Sequence, residues 1–175
     1  MKNNNSKIGF GGGCHWCTEA VFQSLAGVVR VEQGYIGSVG TFKDLSEAVI
    51  VHFSPNLISL KSLVEIHLYT HKSSSEHSMR KKYRSAIYVF SKGQKIKATQ
   101  YIEEFKLRFS APIITKVLPF QTFEPSRESI TNYYKKNPSG PFCERFIAPK
   151  LRLLQEQFKD KTYSVIPETS MQPHG

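Results

Sequence analysis

The amino-acid sequence predicts an α/β (α+β) fold: a two-layer sandwich in which helices cover one mixed, mainly antiparallel sheet with a ferredoxin-like βαββαβ core. Three observations predict it. Segments with strand-like alternation are interleaved with segments of helical spacing, Gly and Pro mark their boundaries, and a chain of 175 residues that is 39% hydrophobic can bury one substantial core. We therefore expect a single domain over residues 1–175, with its core at about 8–154 and a mobile tail at about 162–175.

The first half of the chain begins with a strand, a turn and a helix. The apolar lead at residues 8–11 predicts the strand, the glycines that follow predict a tight turn, and residues 14–26 have helical spacing that ends at Gly27. VVRVEQGYIG and SEAVIVHFSP predict two further strands, the second ended by Pro55. SLKSLVEIHLYTH predicts a helix, because its apolar residues recur at intervals of three and four.

The second half begins with an exposed, serine-rich and basic loop at residues 72–82. YRSAIYVFS then predicts a strand, residues 94–109 a helix and IITKVLPF another strand. A last regular helix is expected at residues 126–136, because Ser126 is a good N-cap and Glu128 lies in the first turn. The resulting order, β-α-β-β-α-β-α-β-α, indicates helices packed on one sheet.

Composition and charge limit the functions that the chain can have. The sequence has no apolar run of about 18 residues, and its polar opening, MKNNNSK, lacks the apolar stretch of a secretory signal, so we expect a soluble, cytoplasmic protein with no membrane partner. We also expect a monomer. The formal charge of +10 attracts acidic partners. These charges are dispersed except at residues 71–84, without a nucleic-acid motif around them, and we expect no nucleic-acid partner.

The cysteines point to thiol chemistry. Three cysteines cannot all pair within the chain, and a reducing compartment disfavours permanent bridges. Cys14 begins a predicted helix, whose unpaired N–H groups lower the pKa of a thiol, and Cys17 is near enough for the two sulfurs to pair. Trp16 either walls an apolar pocket or packs on the sheet. The alternative for Cys14 is a small, buried core residue.

Other polar side chains lie at the ends of predicted strands. Alternation in SEAVIVHF puts Glu47 on the same face as Val49 and Val51. A carboxyl group there is partly withdrawn from water and donates a proton near neutral pH, unless the strand end is solvated. Tyr35 and Tyr83 also lie at strand ends, where a phenol either points its O–H into a cleft or simply packs.

Five short motifs, in the same order, resemble the peptide-methionine (S)-S-oxide reductase family over residues from about 8 to 154. GGGCHWC is similar to the family's Gly-Cys-Phe-Trp, GYIGS to its Gly-Tyr-x-Gly-Gly, SEAVIVHFSP to its Ala-Glu-x-Val strand, YRSAIY to its Tyr-Arg-Ser-x-Ile, and KNPSGPFC to its Lys-Asn-Pro-x-Gly with a cysteine just after it. The resemblance implies a single catalytic domain that reduces methionine S-sulfoxide, free or in oxidised proteins.

The resemblance also implies a role for each matching residue. Cys14 would attack the sulfoxide sulfur, and Glu47 would protonate the departing oxygen, with hydrogen bonds from Tyr35 and Tyr83. Trp16 would hold the methyl group of the substrate. The products would be methionine and a sulfenic acid on Cys14.

Recycling then requires a second thiol and an external dithiol, for which the resemblance implies thioredoxin, with no cofactor and no metal. Cys17 is close to Cys14, whereas Cys143 matches a resolving cysteine on a flexible tail; we favour Cys143 attacking first or relaying from Cys17, and the order stays open. His15 replaces the family's phenylalanine and either stacks on the substrate or favours the Cys14 thiolate. Ser78 aligns with the family's aspartate, so we expect polar substrate contacts to be rebuilt around it.

Three other functions compete with this interpretation. A zinc site built from Cys14, Cys17, Cys143 and a histidine such as His15 lacks the usual second pair of closely spaced ligands. A dithiol-disulfide oxidoreductase would use Cys14 and Cys17, but the proline-containing dipeptide of a thioredoxin-like site is missing. A non-catalytic basic binding module would use residues 72–84.

Overall fold

The computed structural model describes residues 4–75 and 82–162, and the strands of these residues form one six-stranded sheet in the order β5-β4-β1-β3-β2-β6. The strands are β1 Ser6–Gly11, β2 Val28–Gly37, β3 Ser46–Phe53, β4 Ala86–Val89, β5 Lys116–Pro119 and β6 Thr122–Pro125. Only the β4–β5 pair is parallel in this sheet. The four central strands, β4-β1-β3-β2, form the predicted ferredoxin-like βαββαβ core, so the fold class is confirmed.

The helices of the described residues are α1 His15–Gln23, α2 Leu60–Thr70, α3 Lys92–Phe105, α4 Tyr133–Lys136 and α5 Ala148–Gln157. The first three confirm the predicted helices, with ends that differ by a few residues. The N-terminus of α2 is capped by Ser59, whose hydroxyl accepts from the Ser62 N–H at 3.0 Å.

The predicted helix at 126–136 is wrong. The segment before it forms β6 and continues the pairing, since the Ser126 N–H donates to the Gln33 carbonyl of β2 at 3.0 Å instead of starting a helix. Asn132 then adopts a left-handed conformation with φ 54°, which separates a short 3₁₀ turn from the four-residue α4. The helix α5 was not predicted at all.

Both faces of the central strand β3 are buried. Val49, Val51 and Phe53 belong to the large core between the sheet and the helices, as the alternation predicts. Ala48 and Ile50 face the other way, into a smaller core closed by a set of phenylalanines: Phe42, Phe90, Phe120 and Phe123. The site described below lies where β1 and β3 meet the start of α1.

Some expectations fall on residues that the structure does not describe, namely the tail from residue 163 onward and the loop at 76–81, which includes Ser78. Within the described ranges, none of the helices has the length and apolar character needed to cross a membrane.

Candidate active site

The turn before α1 presents Cys14 at the N-cap of the helix. Cys14 is extended, with φ −60° and ψ 130°, and its carbonyl accepts from the N–H groups of Cys17 at 3.0 Å and Thr18 at 3.2 Å. Gly12 has φ +152°, and a Cβ added there would lie 2.4 Å from the His71 ring. A glycine is therefore required at this position, because a side chain would meet both backbone strain and a clash.

The thiol of Cys14 ionises more readily than an ordinary cysteine. A hydrogen bond from the Cys17 thiol is the largest cause of its lowered pKa, and the N–H groups of Trp16 and Cys17 act in the same direction. Burial and the nearby Glu47 carboxylate oppose them. The pKa of Cys17 is raised, because its thiol serves as the hydrogen-bond donor and is buried. Of the two thiols, Cys14 thus ionises at the lower pH, and the thiolate is the reactive form of a cysteine.

Cys14 opens onto a cavity of about 400 Å³. Its lining includes Cys14, Cys17, Tyr83, Phe142, Phe146 and Lys150. The cavity combines aromatic walls with an ammonium group and a phenol, and it has room for a methionine-sized side chain.

Glu47 of β3 is only 8% exposed, and it does not belong to the lining of this cavity. One carboxylate oxygen, Oε1, accepts from the His15 N–H at 3.0 Å, and the other, Oε2, is 3.9 Å from Lys82 Nζ. Tyr35 of β2 is the direct cross-strand partner of Glu47. The fold therefore brings Glu47 and Tyr35 to the first turn of the helix that carries Cys14.

His15 packs beside Glu47. Its ring is 4% exposed, and Nδ1 lies 2.9 Å from the Gly34 carbonyl oxygen, so Nδ1 carries a proton and donates it. The other ring nitrogen, Nε2, is 3.6 Å from Glu47 Oε1. The ring is thus held between β2 and Glu47 and contacts the carboxyl group; like Glu47 itself, it is not part of the cavity lining, and its stacking on a substrate stays a prediction.

Trp16 forms part of an aromatic wall. Its ring stacks on Tyr133 with centroids 3.9 Å apart and planes 1° from parallel, and it meets Phe142 edge-on at 5.2 Å. Phe142 connects this wall to the cavity that Cys14 lines. The tryptophan thus packs against a segment from the C-terminal third of the chain. The residues next to Trp16 in the sequence do not predict this contact.

Cys143 does not lie on a flexible tail. It is 0% exposed, packs in a small apolar cluster with Cys17, Ala20 and Ile147, and begins a π-helical turn that leads into α5. Burial raises the pKa of its thiol. The three cysteines are all free thiols and pack in or against this one cluster, and both Cys14 and Cys143 raise the pKa of Cys17.

Sequence reasoning missed two charged residues at this site. Glu19 of α1 is 2% exposed and fixes the segment that carries Tyr133, since it accepts from the N–H groups of Asn132 at 3.0 Å and Tyr133 at 3.4 Å. Lys150 of α5 points its ammonium at the Thr70 carbonyl oxygen and lines the Cys14 cavity. For Glu19, the only sequence signal was a charged residue on the apolar side of a predicted helix. For Lys150, the sequence contained no such signal.

In residues 4–75 and 82–162, no group of three or more His, Cys, Asp or Glu side chains is arranged to hold a metal ion. These residues therefore give no support to the zinc alternative.

A thiol of lowered pKa at a helix start, a second thiol one turn further along the helix and a buried carboxyl group beside them are typical of a thiol-dependent oxidoreductase. The sequence comparisons specify the class further. The family described as peptide methionine sulfoxide reductase matches residues 6–162. The peptide methionine sulfoxide reductase MsrA of Deinococcus radiodurans is 37% identical over 168 residues, covering 87% of this chain and 82% of that protein. The chain therefore belongs to the peptide methionine sulfoxide reductase family.

Solved structures share the fold. Methionine sulfoxide reductase A of Corynebacterium diphtheriae has a TM-score of 0.70 at 22% identity and covers 79% of this chain and 78% of its own. Mxr1 from Saccharomyces cerevisiae in complex with Trx2 has a TM-score of 0.61 at 20% identity, covering 76% of this chain and 89% of its own.

Proposed function

We propose that this methionine sulfoxide reductase acts on the S epimer, free or in oxidised proteins, with Cys14 as nucleophile and Glu47 as proton donor. The observation that carries the proposal is the position of Cys14: its thiol pKa is lowered at the start of α1, and it lines a cavity with aromatic walls. A sulfoxide suits such a site, because it has a polarised S=O group for the thiolate and an apolar methyl group for the walls.

In the first step, the Cys14 thiolate attacks the sulfoxide sulfur and takes its oxygen, while the carboxyl group of Glu47 delivers a proton to that oxygen. Two electrons pass from the Cys14 sulfur to the substrate sulfur, so the products are methionine and a sulfenic acid on Cys14. The phenols of Tyr35, beside Glu47, and Tyr83, in the cavity wall, donate hydrogen bonds to the departing oxygen. Trp16, Tyr133 and Phe142 form the apolar side of the site.

In the second step, Cys17 attacks the Cys14 sulfenic acid; their sulfurs join and water leaves. The position of Cys17, in the first turn of α1 and the largest influence on the pKa of Cys14, supports Cys17 as the first resolving residue. Cys143, packed against Cys17, then exchanges into the disulfide and frees Cys14. The sequence left two orders open, direct attack by Cys143 or a relay through Cys17, and this scheme adopts the relay.

A dithiol protein of the thioredoxin type then reduces the Cys17–Cys143 disulfide, and the scheme uses no prosthetic cofactor. Support comes from a protein with the same fold, yeast Mxr1, whose structure was solved in complex with Trx2. The cytoplasm, where thioredoxin keeps thiols reduced, fits this cycle.

A single-turnover assay on the two sulfoxide epimers, with thiols counted before and after, tests the proposal. The reduced enzyme should convert one equivalent of the S epimer, lose two thiols and leave the R epimer unreacted. Cys14→Ser should form no methionine, because a serine oxygen is a far poorer nucleophile at neutral pH. Methionine formation by Cys14→Ser would refute the assignment, and disulfide exchange without sulfoxide reduction would favour the dithiol oxidoreductase instead.

A further inference from the structure

Lys150 is a charged residue of the cavity to which the scheme above gives no task. It projects from the first half of α5, its ammonium donates to the Thr70 carbonyl oxygen at the end of α2, and it is partly buried. Lysine ammonium groups are rarely withdrawn from water unless they are paired or functional. The bond to Thr70 fixes the charge on the wall that Cys14 and Cys17 share.

The charge acts on Cys17 more than on Cys14. Burial, the largest effect, lowers the pKa of Lys150, and Cys17 is the strongest influence that raises it again. Conversely, Lys150 lowers the pKa of Cys17, whereas Cys14 and burial raise that pKa. Lys150 is not among the main causes of the pKa shift of Cys14. The other titratable side chains in the cavity lining are His67, His71, Lys72 and Tyr83.

We propose that Lys150 is a positioning residue for the resolving step, in which its ammonium, fixed by the Thr70 carbonyl on the shared cavity wall, stabilises the negative charge that develops on the Cys17 sulfur. The inference rests on the proposed function, since it needs a sulfenic acid on Cys14. In this step the S–H bond of Cys17 and the S–O bond of Cys14 break, and the S–S bond forms. The Cys17 proton joins the departing hydroxyl as water; the Cys14 sulfur is reduced and the Cys17 sulfur is oxidised.

The test separates the two steps in Lys150→Met, which keeps the length of the side chain without its charge. Reduced enzyme receives one equivalent of methionine S-sulfoxide; methionine is measured by rapid quench, and the sulfenic acid is trapped with dimedone and quantified by mass, at several pH values. We expect the lifetime of the sulfenic acid, measured against the rate of methionine formation in the same variant, to increase about tenfold or more. The rate of sulfenic acid decay should also rise at a higher pH than in the wild type, because Cys17 loses a nearby cation and its pKa increases.

Two further variants make the result specific. Lys150→Arg keeps the positive charge and should restore fast resolution. Arg152→Met removes an exposed charge from the same helix and should behave as the wild type. Resolution in Lys150→Met at the wild-type rate across the pH range would overturn the inference, and so would a slow step that neither shifts with pH nor recovers in Lys150→Arg, since it would indicate lost packing. The absence of trappable sulfenic acid in every variant, even with Cys17 replaced by alanine, would refute the proposed function itself.

Discussion

Glu19 offers a strong test of how the fold supports the site, because it is buried in α1 and fixes a distant segment. Its carboxylate accepts from Gln33 Nε2 at 3.0 Å, from the Asn132 N–H at 3.0 Å and from the Tyr133 N–H at 3.4 Å. A hydrogen bond to a charged group contributes about 1.5–3 kcal/mol, so the two short bonds together give about 3–6 kcal/mol. We expect Glu19→Ala to lower the free energy of unfolding by about that amount, a large part of the typical total of about 5–15 kcal/mol.

Urea unfolding followed by circular dichroism measures this loss. Glu19→Gln should cost roughly half as much, because an amide keeps one acceptor oxygen but turns an N–H₂ group towards a backbone donor. Glu128→Gln is the matched control: it makes the same chemical change at an exposed position in the segment before Asn132, and it should leave stability unchanged.

Glu19→Gln also tests the aromatic wall that Trp16 and Tyr133 form. Trp16 is the only tryptophan of the chain and stacks on Tyr133, so its fluorescence in folded Glu19→Gln should change as the Tyr133 segment loosens, and KM for the sulfoxide should rise. A loss of less than about 1 kcal/mol in Glu19→Ala would refute the assigned bond energies. Unchanged fluorescence and KM in Glu19→Gln would show that the segment holds its position without the carboxylate.

The remaining predictions concern the chemistry. Glu47→Gln should slow the single-turnover formation of methionine by roughly 10²- to 10⁴-fold, the usual range for loss of a general acid; an unchanged rate would remove Glu47 from the mechanism. Cys143→Ala should preserve the first turnover but impair steady-state turnover with thioredoxin, and full steady-state activity would show that Cys17 alone suffices. Alkylation of Cys14 by iodoacetamide should become fast at lower pH than for a free thiol, because the pKa of Cys14 is lowered chiefly by the Cys17 thiol; in Cys17→Ala the profile should move to higher pH, and a profile that stays in place would contradict that cause.

The amino-acid sequence by itself determined the elements whose signals are local. The alternation in β3 predicted which residues face the helices, and it put Glu47 at the start of that face. The glycines before Cys14 predicted the turn and the helix start at which Cys14 lies. These predictions succeed because side-chain direction in strands and helices depends only on neighbours two to four residues away.

Tertiary structure alone decided how the site is closed. The helix predicted at 126–136 failed because Ser126 extends the pairing of β6 with β2 and because Asn132 adopts a left-handed conformation; a local helix signal shows neither feature. Trp16 packs on Tyr133, more than a hundred positions away, and Lys150 reaches the cavity from a helix that no local pattern links to Cys14. Which distant charge meets a thiol depends on the packing of α5 against α1, and that packing is settled by the burial of apolar surface over the whole domain.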